Sequence, residues 1–547
     1  MTKPVFNLHI LDDPWVVVTT MDGKEETLSL IQVLMKSNSI RCLSNEMVTQ
    51  DVAILRLLLS VLYVIYTRND DYQKACKNTD TCIQFWKKLW QQTSFSAHDL
   101  NKFRNDYHDG FWLKHPEKPF YQVPDIEKGS DFLVSKMIGS LVEGGNKTLL
   151  FPERTGNSKR SISYPEAVRW LLYLNSFDDA AAKPTQKGLH PMSVGWLGRL
   201  GLVYIEGRNL FETLMLNFSL INPNNGKPWS GKGGHAAWEL DKPNTGERVE
   251  ISVPHHAETL YTLQSRRIQL KYADDKVIGF TILGGDQFEI ENAFVEPMTI
   301  WKKDKTKSNQ SSSYFPPSNA GRNPSKQAWR DFSSLLAASE LTNPKDERGM
   351  PGVLMWIKEL VLDEVVLFEH IQICTLFVKY GSMQSGIEEV WSDSLSVNAN
   401  IFASWGDDEN GWTRFVTETV KDTEVVVHSL GSLALDLASS SGATDFKNIR
   451  EQAQEQAYAA LDLPFREWLG SINSLNSDMD ERKKEWCKIT KGIILTLGEN
   501  LVSQAGMNAF TGRVVKKKDR ESYYSSPEAY DRFFTAVSRK LKSGEGK

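Results

Sequence analysis

The chain has 547 residues, 40% apolar and 24% charged, which is close to a globular average and excludes wholesale disorder. At roughly 100–200 residues per domain it has room for about two to four domains, each able to bury a core. The formal net charge of −5 excludes a globally basic nucleic-acid binder, so any such surface must be a local patch.

The first elements read as strand, turn, strand and helix start. Trp15 to Thr20 is rich in β-branched residues, Asp22-Gly23 is a hairpin turn signal, and the pattern resumes at 27–30. No basic flank precedes an apolar signal core, so no signal peptide is expected. Thr49 is placed as the cap of the next helix, with Asp51 in its first turn. That helix runs to about Tyr66 and is apolar nearly all round, so it is expected at the centre of a domain. Arg56 and Ser60 interrupt its apolar run, leaving it short of the roughly 18–20 residues that span a bilayer. No membrane association is expected. Further helices are expected at 79–92 and from about Ala97.

Residues 110–165 are loop-rich, with five prolines between Pro116 and Pro165. A helix follows at 166–176, and short strands are expected at 249–253, 268–273, 277–283 and 288–290. Residues 302–327 are polar and of low complexity and read as an exposed loop. Helix-like segments at 327–339 and 353–358 precede a strand-prone run at 361–380. Beyond about residue 400 the periodicity is helical, at 412–437, 445–469, 481–505 and 527–542, which predicts a four-helix bundle. The expected fold class is α+β. A large mixed α/β domain over 1–400 is followed by an all-α bundle over 401–547.

Cys42, Cys76, Cys82, Cys374 and Cys487 form no Cys-x-x-Cys pair. This argues against a disulfide scaffold and a thiolate zinc site, and points to a reducing cytoplasm. The sixteen tryptophans serve either as core or as stacking platforms. Gly226-Lys-Pro-Trp-Ser-Gly231-Lys232 has the spacing of a phosphate-cradling loop. Gly233 stands where that chemistry needs Ser or Thr for Mg²⁺, so a flexible surface loop is the expected reading. His235, His255 and His256 lack metal-ligand spacing, since adjacent residues on a strand point to opposite faces. These two features define the alternative function, a nucleotide- or metal-dependent hydrolase. The pairs Asp70-Asp71, Asp178-Asp179, Asp274-Asp275 and Asp407-Asp408 read as turn residues. Basic clusters stand at Arg154/Lys159/Arg160, Arg266/Arg267/Lys271, Lys302/Lys303/Lys305/Lys307 and Arg513/Lys516/Lys517/Lys518. Four in an acidic chain raise the nucleic-acid reading.

Three blocks carry a resemblance to a known family. Phe6-Asn-Leu through Asp12-Asp13-Pro14-Trp15 to Leu30 resembles the N-terminal signature of the CasA family, and 49–59 its first long helix. Phe111-Trp-Leu-Lys-His-Pro-Glu-Lys-Pro-Phe120-Tyr-Gln122 is a second block and Tyr380-Gly-Ser-Met-Gln-Ser-Gly-Ile387 a third. CasA is the large subunit of Cascade, the type I-E CRISPR surveillance complex. The resemblance implies a non-enzymatic, cytoplasmic subunit for antiviral defence, with no cofactor. Its implied partners are the other Cascade subunits, the guide RNA 5′ handle, double-stranded target DNA and the helicase-nuclease. It further implies that the protein reads the protospacer-adjacent motif (PAM) and helps open the duplex, while base pairing reads sequence.

The resemblance puts the family's glutamine wedge on Gln384, flanked by Ser382 and Met383. Its glycine-rich groove loop falls on Ala180, Ala181, Ala182 and Lys183, where the glycines are lost. A family lysine near the PAM falls at about Gln287, with Lys271 or Lys276 as substitutes. Lys302 and Lys303 are candidates for DNA phosphates. Asn146, Lys147, Leu150 and Phe151 are candidates for the RNA handle. Some relatives carry zinc-suited cysteine pairs nearby; this chain has none, and no metal is expected.

Overall fold

Strand β1 (Val16–Thr20) turns back at Asp22-Gly23 into β2 (Glu25–Leu28). Gly23 sits at φ +81, a conformation glycine adopts without a Cβ penalty. Helix α1 (Leu30–Met35) begins at Ser29, which accepts from Gln32 N–H while the Gln32 side chain accepts from Ser29 N–H. Strand β3 (Ile40–Leu43) then pairs with the other edge of β1. The structure, a computed structural model, describes residues 7–126, 128–141, 153–181, 193–223, 225–240, 250–251, 254–288, 296–303, 314–315, 327–336, 348–403, 411–443, 448–473, 476–517 and 520–541.

Helix α2 (Val48–Thr67) buries 17 of its 20 residues, as its all-round apolar sequence requires. Met47, not Thr49, is its capping position. Thr49 is buried inside the first turn, and Asp51 instead accepts from the Asn45 backbone and side chain. The helix is long and apolar enough to cross a membrane by length and composition, and 83% of that apolar window is buried within the protein. Arg56, at its middle, makes a two-pronged pair with Glu296 at 2.6 and 3.0 Å and lies over the Tyr261 ring at 4.1 Å. Three helices follow, α3 (Thr79–Gln91), α4 (Ala97–Tyr107) and α5 (Tyr164–Phe177), capped by Asn78, Ser96 and Ser163, and α4 and α5 pack against α2.

Two three-stranded sheets complete this part. Strand β4 (Ser130–Leu133) pairs with β7 (Lys276–Gly284), which pairs with β6 (Arg266–Ala273). Asp274 and Asp275, both at positive φ, make the β6–β7 turn. In the second sheet, β5 (Leu202–Glu206) flanks β8 (His370–Tyr380), which returns as β9 (Ile387–Asn398). The expected strand over 361–380 begins only at His370. Helix α6 (Gly352–Leu362) takes its start, and Glu364 at φ +53 marks the break.

The chain divides into two compact units. One holds residues up to 324 with 344–366 and 372–394; the other holds 325–343, 367–371 and 395–547. The second is built on α7 (Trp412–Ser441), α8 (Ile449–Gly470), α9 (Met479–Gln504) and α10 (Ser526–Leu541), packed as a four-helix bundle. Trp486 donates to Thr423 Oγ1 at 2.8 Å at the bundle centre. Trp329 stacks on Phe465 with ring centroids 4.4 Å apart and donates to Asp462 at 2.9 Å, which ties its segment to the bundle. The basic stretch around Arg513, expected as a loop, is an antiparallel hairpin of β10 (Arg513–Lys517) and β11 (Arg520–Tyr524). Trp15, Trp86, Trp170, Trp229, Trp329, Trp356 and Trp486 are fully buried, so these tryptophans serve as core, not as stacking platforms.

Candidate nucleic-acid interface

The turn between β8 and β9 is Gly381-Ser-Met-Gln-Ser-Gly386. Glycines at both ends and small polar residues let it close tightly. Gly381 N–H donates to Gly386 O at 3.0 Å, Gln384 N–H to Gly381 O at 2.9 Å, and Ser385 N–H to Ser382 O at 3.2 Å. Met383 at φ +54 and Gln384 at φ +57 are consecutive non-glycine residues in the left-handed region. Each such residue costs of order 1–3 kcal/mol and persists only when its surroundings over-determine it.

Those surroundings are found at the end of α5. Gln384 O accepts from Ala180 N–H at 3.0 Å, and Gln384 Oε1 accepts from the Ser193 hydroxyl at 3.3 Å. Gly386 N–H donates to Asp179 Oδ2 at 3.1 Å, while Asp179 Oδ1 accepts from Ala181 N–H at 3.0 Å. Lys136 Nζ meets the same Asp179 carboxylate at 2.5 Å. Beneath them, Arg266 donates to Asp178 Oδ2 at 2.6 Å and to the carbonyls of Asp178, Asp179 and Ser193 at 2.9, 3.1 and 2.9 Å. Tyr380 donates to Phe177 O at 2.7 Å. Burial pushes the Tyr380 phenol well above its ordinary pKa, so it stays a neutral donor.

With the turn so fastened, the exposed Ser382 and Met383 are left at its tip, and Met383, 91% exposed, is the large apolar projection. Gln384, the expected wedge, is half-buried and engaged by Ser193. The edge beside them is lined by Ala180, Ala181 and Ser382, whose small side chains allow another backbone to approach closely. The arrangement offers a rigid apolar projection on a shallow polar edge.

The structure thus brings Ser382, Met383 and Gln384 together with Ala180 and Ala181. Ala182, Lys183, Asn146, Lys147, Leu150 and Phe151 lie outside the described residues. Gln287 pairs with Glu250 in a short parallel ladder. Lys302 pairs with Phe315 and Arg348, and Lys303 with Tyr314, in a separate small sheet.

Several expectations are corrected. Arg266 and Arg267 are not a phosphate-facing cluster: both are buried, paired with Asp178 and Asp286. Lys271 pairs with Asp131 at 2.7 Å. The Gly226–Gly234 stretch runs along the surface and is anchored there. Gly226 turns a short hairpin at φ +64, and a Cβ on Gly231 would meet Thr67 O at 1.9 Å, so the chain lies against the end of α2. His256 faces Ser230 O at 2.7 Å, and His235, His255 and His256 are not among the described groups able to share a metal. Sequence reasoning missed Asp179, Ser193, Lys136 and Tyr380. The Asp178-Asp179 pair and the adjacent Arg266 were visible, but only as a turn and a basic cluster.

Comparison with known proteins gives a consistent result. The model of the family described as CRISPR-associated protein Cse1 matches residues 9–497. The CRISPR-associated protein CasA/Cse1 of Thermus thermophilus is 24% identical over 331 residues, which is 60% of this chain and 60% of that protein. The match therefore spans under two thirds of that relative's length. The crystal structure of Thermobifida fusca Cse1 is 28% identical, with a TM-score of 0.81 over 99% of both chains. A chain of a CRISPR RNA-guided surveillance complex shares the fold at a TM-score of 0.69 and 15% identity, over 99% of this chain and all of that one.

Proposed function

The chain belongs to the CRISPR-associated Cse1 family, and we propose that it is the large, non-enzymatic subunit of an RNA-guided surveillance complex that meets target DNA at the Met383 turn. The observation that carries this reading is the fastening of the 381–386 turn to Ala180 and Asp179, which leaves Met383 as a rigid projection on a small-residue edge. An apolar wedge such as Met inserts between base steps and separates them at a cost of about a few kcal/mol, offset by contacts along the groove. The small side chains let this edge come close to the minor groove, whose pattern chiefly separates A·T from G·C. In this reading Met383 takes the wedge position and Gln384 holds the turn and offers its remaining amide groups to a base edge.

Lys183, Gln287, Lys302 and Lys303 supply attraction to phosphates, which positions the duplex without reading it. Asn146, Lys147, Leu150 and Phe151 serve the guide RNA handle, within an N-terminal domain over 1–400. The bundle over 401–547 contacts other subunits of the complex, and the assembly as a whole recruits a helicase-nuclease in the cytoplasm.

The test is a randomised PAM library bound by the assembled complex, with and without this subunit. The expected outcome is motif enrichment that depends on the subunit, with motifs lying within about 1–2 kcal/mol of one another, at or below the cost of a typical specific mismatch. Ala180→Gly with Ala181→Gly should change the ranking of motifs. Enrichment that survives omission of the subunit, or a ranking indifferent to the double substitution, overturns the reading.

A further inference from the structure

The turn before β1 carries a second cluster, far from any use in the reading above. His9, Asp12 and Asp13 form a tight turn in which the His9 carbonyl accepts from Asp12 and Asp13 N–H at 3.1 and 2.8 Å. His9 also bridges to Trp112, which brings the short helical turn His108–Phe111 alongside. The His9 and His108 rings stack at 4.0 Å.

The ring nitrogens are arranged in a way that hydrogen bonding alone does not explain. His9 Nε2 donates to the His108 carbonyl at 3.0 Å, which fixes the hydrogen on that nitrogen. His9 Nδ1 is buried, has no hydrogen-bond partner, and faces Asp12 Oδ2 at 3.0 Å. With Nδ1 unprotonated, two acceptors oppose each other at the edge of the buried His9 ring, and either a proton or a metal cation between them would satisfy both. His108 Nε2 faces the same Asp12 Oδ2 at 3.8 Å, while His108 Nδ1 is turned to Asp109 at 3.5 Å. The other oxygen of Asp12 is held by Arg104 Nε at 2.5 Å. Asp13, accepting the His9 N–H at 2.8 Å, adds a further carboxylate.

We infer that His9 Nδ1, Asp12 Oδ2 and His108 Nε2 form a binding site for a divalent transition-metal ion of the zinc class. The three ligand atoms lie within 4.8 Å of one another. A tetrahedral ion with bonds of about 2.0–2.1 Å holds its ligand atoms about 3.3 Å apart, near the 3.0 and 3.8 Å separations here, and binding requires the half-exposed His108 ring to turn out of its stack on His9 so that both in-plane lone pairs meet the ion. Each ligand also has the outer partner such sites use: a backbone carbonyl for His9, a carboxylate for His108, and an arginine for the spare oxygen of Asp12. A proton on His9 Nδ1 would satisfy Asp12 but would leave the convergence of His108 without a role. The His108 side is 42% exposed, which gives the ion an entry path and leaves the fourth position to water. This donor set is distinct from the cysteine pairs the chain lacks, and it departs from the sequence expectation of no metal.

The test uses the full chain, stripped with chelator and titrated with Zn²⁺ alone, then with Co²⁺ for its visible absorption. One equivalent of Zn²⁺ should bind and raise Tm, and Co²⁺ should give the intense bands of a tetrahedral site. His108→Ala, at a half-exposed position the fold tolerates, should weaken binding at least tenfold. Asp109→Asn, at an exposed residue that only positions His108, should weaken it about tenfold. His235→Ala should bind as the parent does. Absence of stoichiometric uptake, or uptake indifferent to both His108→Ala and Asp12→Asn, overturns the assignment.

Discussion

Met383 and Gln384 are neighbours with opposite fates, one projecting and one tied to Ser193. The sequence pattern located the turn but not which residue leaves it. That choice follows from two left-handed φ values held by long-range bonds, which no local pattern encodes. Arg68 shows the same limit. It ends α2 and gathers Glu239 at 2.5 Å, Glu258 at 2.9 Å and Gly234 O at 2.9 Å, fixing the stretch that read as a mobile loop. Burial alone would raise the Glu239 carboxyl; the Arg68 bonds and the Ala236 N–H outweigh it and hold it below the usual range. A depressed carboxylate contributes stability above its unfolded pKa, and that contribution is lost as pH falls through the folded value. Arg68→Met should therefore cost about 3 kcal/mol at pH 7. The gap to the parent should begin to narrow as pH falls below the ordinary glutamate value of about 4.3, where the unfolded chain protonates first, and should keep shrinking until the folded Glu239 takes up its proton at a lower pH. Urea denaturation at pH 7 and pH 3.5 checks both; an equal gap at the two pH values would show that the pair is not the source.

At the scale of elements, the bundle helices were legible because long amphipathic periods and polar breaks repeat there. The hairpin β6–β7 was legible through β-branched runs flanking Asp274-Asp275. The β10–β11 hairpin was not, because Val514-Val515 among lysines is too short a pattern to stand out. The Met383 turn belongs to the brace more than to its own strands: Asp179 and Gly386 are 207 positions apart and share one hydrogen bond. Asp179→Ala removes that bond, the Ala181 bond and the Lys136 pair together. Amide exchange across 381–386 should speed up at least tenfold while the bundle helices exchange as before. Unchanged protection in the turn would mean that the glycines alone hold it.

At the scale of the whole molecule, the change of periodicity near residue 400 marks where the long bundle helices begin. It does not reveal that 325–343 joins the second unit, since Trp329 finds Phe465 only in three dimensions. The nucleic-acid candidates fared unevenly for a related reason. Arginines and lysines look alike in sequence whether they face phosphates or, like Arg266, bind four carbonyls in the interior. Motif resemblance carried the family and the turn, while the geometry of Asp179, Ser193 and Ala180 decides how the turn is presented. The central claim is that this presented turn separates base pairs in target DNA. The most direct measurement is the signal of a fluorescent base beside the PAM, followed in the complete complex carrying Met383→Ala. Duplex opening should slow by about tenfold, equivalent to about 1.4 kcal/mol of lost transition-state stabilisation, with guide-RNA retention unchanged. An opening rate equal to that of the parent complex would contradict the claim.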